Sequence, residues 1–173
     1  MDIIENQDAW IAEFESNWLK HYNETGETNW KLYNIPRNKE IPAGKGINLS
    51  ESRLVLISSA GLYHKETQEP YDAENDLGDY TIRLFSADTP WEELAIAHTH
   101  YDHTDVNKDP QVLLPIAHLK DLVNEGVIGE LASEVVSFMG YQPDASSVAN
   151  ETVPAVIEAV KAIKADGALL VPS

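Results

Sequence analysis

Between positions 98 and 105 the chain carries three histidines and two aspartates: His98, His100, Asp102, His103 and Asp105, in the run AHTHYDHTD. Half of the six histidines of the protein fall in that stretch. Imidazoles and carboxylates this closely spaced can hold a metal ion, or they can move protons near neutral pH. The apolar run Leu94-Ala95-Ile96-Ala97 stands immediately before them. A short apolar run of this kind predicts a strand that hands the cluster to a loop.

The elements that must position the cluster read as alternating strands and helices. Residues 7–24 predict an amphipathic helix, with Trp10, Phe14, Trp18 and Tyr22 recurring every four residues and Ile11 and Leu19 widening the stripe. Such a stripe belongs to a core or a subunit interface, which leaves a homo-oligomer open. Gly26 ends the helix, and Pro36, Pro42, Gly44 and Gly46 predict an irregular, extended arm. Two regions follow: 1–50 as helix and arm, and 51–173 as an α/β domain. In the second, 53–58 is a continuous apolar strand leading into Ser59-Ala60-Gly61. Residues 64–79 predict a long loop, and 80–86 a strand alternating with period two. Asp88-Thr89-Pro90 reads as a helix start before the 94–98 strand. Beyond the cluster, 115–125 predicts a helix closed by Gly126, 129–132 a helical turn, 135–139 a strand, 147–165 a helix, and 168–171 a buried strand. The sum is a mostly parallel, Rossmann-like open sheet with helices on both faces.

Composition narrows the function classes. With 12 basic and 29 acidic residues the formal charge is −17, a field that repels phosphate backbones and argues against nucleic-acid binding. No apolar run approaches the roughly 20 residues of a membrane span. The start of the chain, Met1-Asp2-Ile3-Ile4-Glu5, is acidic where a secretory signal is basic. Cysteine is absent, so neither a disulfide nor a thiolate ligand is available among these residues. A cytoplasmic protein is expected.

The spacing His98-x-His100-x-Asp102-His103 resembles the HxHxDH pattern of metallo-β-lactamase-like hydrolases. On that reading His98, His100, Asp102 and His103 would ligate zinc, manganese or iron and generate hydroxide. The context departs from that family. Thr104-Asp105 follow where glycines are usual, and the only later histidine, His118, is close in sequence and on a predicted helix.

A second resemblance covers more of the chain. Its residues are Ser59-Ala60-Gly61, Gly78-Asp79-Tyr80 with Arg83, Tyr101-Asp102, Val106-Asn107-x-Asp109 and Pro115. They continue with Glu125-Gly126-x-Ile128-Gly129, Phe138-Met139-Gly140 and Asp166-Gly167-Ala168-Leu-Leu. In order and spacing, from about residue 53 to the end, they are similar to the selenoprotein B family of glycine, sarcosine and betaine reductases, including the smaller D-proline reductase subunit.

The resemblance implies that the strand at 168–171 leads into a loop carrying a redox-active selenocysteine or cysteine just after Ser173. Selenocysteine is encoded by UGA, so the expectation is an N-terminal part of a longer reductase, inactive by itself and incomplete at its C-terminus. It implies a small-molecule substrate, an amino acid or a relative of one, and a dithiol, thioredoxin-like reductant or partner reductase subunit. His100 or His103 would then serve as proton donor or electrostatic partner, with Tyr101 and Asp102 orienting them. Ser59, Ala60 and Gly61 would meet substrate on the same sheet edge. Asn107 and Asp109 are candidates for substrate contact or for pinning the loop through local hydrogen bonds. His21 and His64 read as surface residues. A third reading is a non-catalytic assembly or binding module presenting its aromatic helix and acidic surface.

Overall fold

The computed structural model describes residues 4–40 and 44–173; Pro42 and the first three residues lie outside them. In chain order the first elements are α1 (Gln7–Phe14), α2 (Lys20–Thr25), β1 (Arg53–Ser58), β2 (Leu62–His64), β3 (Ile82–Ser86) and β4 (Leu94–Ile96). After these come α3 (Thr104–Lys108), α4 (Ile116–Asn124), β5 (Glu130–Phe138), α5 (Ala145–Ser147), α6 (Val153–Ile163) and β6 (Gly167–Val171). They fall into two compact units, one of residues 1–46 with Asp144–Ser147, the other of the remainder.

In the first unit, α1 and α2 are joined by a π-helical stretch, Glu15–Leu19, and Gly26 ends the run with φ 71°. The aromatic stripe is core. Phe14 and Trp18 are fully buried, with ring centroids 5.4 Å apart and the Tyr33 ring edge-on to both. Trp10 donates its indole N–H to Asn34 O at 2.6 Å, which ties the arm back to the helix.

The second unit is built on a sheet of order β3-β5-β1-β6. β5, β1 and β6 run parallel and β3 closes one edge antiparallel, so the sheet is mixed and mostly parallel. β1 is buried on both faces, as its unbroken apolar sequence requires. Leu54 and Leu56 point into one core with Ile116 and Leu119 of α4. Val55 and Ile57 point into the other with Ala159 of α6. Helices therefore cover both faces.

Four expectations are corrected. Residues 129–132 form no helical turn; Glu130–Ala132 is the start of β5, because pairing of Arg53 with Glu130 and Leu54 with Leu131 overrides local helix preference. The segment after Pro90 makes a single tight turn, Trp91–Glu93, before entering β4. β4 stands outside the main sheet, pairing antiparallel with β2, a short strand whose last residue, His64, is the first of the predicted 64–79 loop. β6 is a strand but not a buried one: it is the sheet edge, and Leu170 is 64% exposed.

Gly61 makes the turn that joins β1 to β2. Its φ is +68°, and a Cβ there would stand 2.7 Å from Ala97 O and 2.9 Å from His98 Cβ. Gly61→Ala is expected to cost about 1–3 kcal/mol through positive φ and backbone collision. A shift of the urea midpoint to lower concentration at unchanged m-value checks it.

Candidate functional site

Three segments meet at the carboxyl edge of the parallel strands: the turn after β1, the residues after β5, and the end of β6. The loop after β4 adds the histidines. Together they line a cleft of about 670 Å³ that includes Ser59, His98, His100, Tyr101, Tyr141 and Ser173, over a floor of Ile57, Phe138, Leu170 and Val171. No Asp, Glu, Lys or Arg is among its described lining residues.

Ser59 is the latch of the cleft. Its backbone N–H donates to Val171 O at 3.1 Å and its carbonyl accepts from Gly140 N at 2.8 Å. Its Oγ accepts from the backbone N–H of Ser173 at 2.9 Å. The end of β6 is thereby held against the β1 turn. Ala60 is buried, its carbonyl accepting the Tyr101 hydroxyl at 3.2 Å, and Gly61 O accepts from Ala97 N at 2.9 Å. These two act through the backbone, by fixing the histidine loop.

The three histidines occupy different environments. His98 is 5% exposed, and its Nδ1 accepts the His100 backbone N–H at 3.2 Å, which leaves the proton of a neutral ring on Nε2. Burial, then the neighbouring His100 and His103, pushes its pKa down to about 4. His100 is exposed to the cleft. Its ring stacks on Tyr141 with centroids 3.6 Å apart and planes within 3°, and its Nδ1 lies 3.3 Å from Thr99 Oγ1. His103 is not a lining residue; its Nε2 meets His98 O at 2.8 Å, which makes that nitrogen the donor. Tyr101 packs edge-on to His98 at 4.9 Å and against His103 at 4.5 Å, and burial raises its phenol to about 12.

The carboxylates stand apart. Asp102 is exposed and its Oδ1 accepts from the N–H of Thr104 at 2.9 Å and from its hydroxyl at 2.6 Å. Those bonds hold its carboxyl below the ordinary range and tie it to Thr104, the first residue of α3. Asn107 and Asp109 are exposed outside the cleft, with Asp109 Oδ1 accepting Gln111 N at 2.9 Å. Among the described residues no three His, Asp or Glu side chains converge as a metal site requires. His118 is exposed on α4, and His64 pairs with Glu93 at 3.3 Å. Tyr141 is the site residue that reading of the sequence missed. Its place directly after Gly140, at the carboxyl end of β5, is the signal that would have found it.

The family model of glycine/sarcosine/betaine reductase selenoprotein B matches residues 21–172, so the likeness extends into the N-terminal region. The D-proline reductase subunit gamma of Acetoanaerobium sticklandii is 30% identical over 122 residues, covering 70% of this chain and 49% of that protein. The glycine reductase complex component B subunit gamma of Symbiobacterium thermophilum is 27% identical over 150 residues, 84% of this chain and 34% of its own length. The sarcosine reductase complex component B subunit beta of Peptoclostridium acidaminophilum is 27% identical over 118 residues, 66% and 27% of the two chains. The chain thus spans between about a quarter and a half of the length of these relatives. No solved structure matches it. A family match over nearly the whole chain, with relatives of the same kind, places this protein in the glycine/sarcosine/betaine reductase selenoprotein B family.

Proposed function

We propose that this chain builds one wall of the reducing site of a selenoprotein B-type reductase subunit, and that a selenocysteine or cysteine following Ser173 supplies the other. The reaction is reductive cleavage of an amino acid or a related small molecule. The observation that carries the reading is the latch: Ser59 holds the end of β6, through Ser173 N at 2.9 Å, beside His98, His100 and Tyr101 in one cleft. A residue carried just past β6 would therefore enter that cleft at a fixed height. When present, a selenol or thiol there supplies the nucleophile and the redox couple.

The residues of this chain then divide the remaining work. His100 is the proton carrier, since it faces the cleft and Tyr141 fixes its plane; with Nδ1 at Thr99, Nε2 is the nitrogen that exchanges the proton. His98 is a permanently neutral wall at working pH, and the raised phenol of Tyr101 stays protonated. His103 positions His98 through its carbonyl, and Asp102 shapes the loop. The relatives are named as subunits of reductases and reductase complexes. By analogy this chain works with a partner reductase subunit or a dithiol, thioredoxin-like reductant that restores the reduced state.

The experiment is dithiol-dependent turnover of glycine, sarcosine, betaine and D-proline by the polypeptide read past codon 173. Turnover of one of them, untouched by chelators, is expected. No turnover of any, or activity lost to chelation and restored by zinc, manganese or iron, overturns the reading. Within that assay His100→Ala is expected to lower kcat about 10²–10⁴-fold, the span of a positioned proton carrier. His103→Ala, acting at one remove, should lower it less than about tenfold.

His98 adds a pH signature. Its folded pKa lies below the ordinary histidine value of 6.5, so the unfolded chain binds its proton first. The stability it contributes is whole above pH 6.5 and is lost as pH falls toward 4, by up to about 3 kcal/mol. Thermal melts from pH 7 to 4 should show a shallower decline in His98→Asn, which keeps the acceptor for His100 N–H but does not titrate. Identical slopes in the two proteins would count against a neutral buried His98.

A further inference from the structure

The two edges of the sheet are finished differently. At β3 the outer side is guarded: Leu84 O accepts the Gln68 side-chain amide at 2.6 Å, and Arg83 Nε donates to Glu69 O at 3.0 Å. At β6 nothing of the kind stands among the described residues, and the strand Gly-Ala-Leu-Leu-Val has neither charge nor proline. Val171 O accepts from Ser59 N, so by strand alternation the N–H and C=O of Ala168 and Leu170 face away from β1. Leu170 is 64% and Leu169 36% exposed. An apolar edge whose outward backbone groups take no partner among the described residues is a surface suited to receive another strand.

The handedness of the existing crossovers says how. From β1 to β5 the chain steps one way across the sheet, with α4 on the Leu54/Leu56 face. From β5 to β6 it steps the other way, with α6 on the Val55/Ile57 face. Reversal of direction with reversal of face is what right-handed crossovers produce. A further step outward from β6 repeats the direction of β5 to β6, so its helix must lie on the α6 face. That is where apolar surface is left open. Leu170 pairs with Ile57 and so shares its face, and α6 on that face leaves Val153 45% and Ile157 46% exposed.

We propose that β6 is an interior strand of the complete protein. The polypeptide following Ser173 crosses back as a helix over Leu170 and adds a parallel strand to the outer edge of β6. This rests on the reading above that the chain continues past Ser173, and it is supported by relatives two to four times as long as the part matched. A second copy is the weaker occupant, because each carries a net charge of −17.

The test follows amide hydrogen exchange of the peptide 167–171 in two proteins: the 173-residue chain, and the polypeptide read past codon 173 with cysteine placed at any in-frame UGA. Protection at least about tenfold greater in the longer protein is expected. Leu170→Lys should lower the Tm of the longer protein and leave that of the 173-residue chain unchanged. Equal exchange in both proteins overturns the proposal, as does a reading frame that ends at codon 173. So does a 173-residue chain that sediments as a dimer with 167–171 already protected, the mark of a second copy. Exchange does not depend on turnover. A longer protein that protects β6 but reduces nothing sinks the functional reading and leaves this one standing.

Discussion

Everything in the α/β unit depends on β1 being buried on both faces. Leu54 and Leu56 serve one core, Val55 and Ile57 the other, so the strand cannot slip by one residue without exchanging both sets. That constraint fixes the height at which the strand ends. Ser58, fully buried, donates to Leu113 O at 3.0 Å, and from there Ser59, Ala60 and Gly61 reach β6, Tyr101 and the β4 segment in succession. The site is a consequence of where a two-faced strand has to stop.

The cleft that results sets its histidines in different environments. Three imidazoles lie within six residues, yet one is buried and neutral, one is engaged with a backbone carbonyl, and one faces the cleft. The separation comes from local geometry. His98 accepts a backbone N–H while its own carbonyl is taken by His103, which spends two of the three rings on building the loop. A metal site would require those same nitrogens to converge. Among the described residues, no helix is long and apolar enough to cross a membrane.

Much of this was legible in the sequence, and the failures have physical causes. The continuous apolar run of β1 and the 3.6-residue stripes of α4 and α6 report burial directly, which is why the mostly parallel sheet with helices on both faces could be read. Periodicity is silent on pairing partners, so β4 passed for a main-sheet strand and the three residues of β2 went unmarked. Glu130 and Leu131 have helical preference locally but pair with Arg53 and Leu54, and long-range pairing wins. Asp102 sits among histidines in sequence, yet the hydroxyl two residues on takes its carboxylate first. Tyr141 lies some forty residues from His100 and meets it only through the fold.

The proposed reducing site needs a chalcogen carried just beyond β6 to complete this cleft. The most direct measurement is peptide sequencing by mass spectrometry of the native protein from its own cells, after reduction and alkylation. The expected peptide runs through Val171-Pro172-Ser173 into an alkylated selenocysteine or cysteine within a few residues. A native polypeptide that carries neither would contradict it.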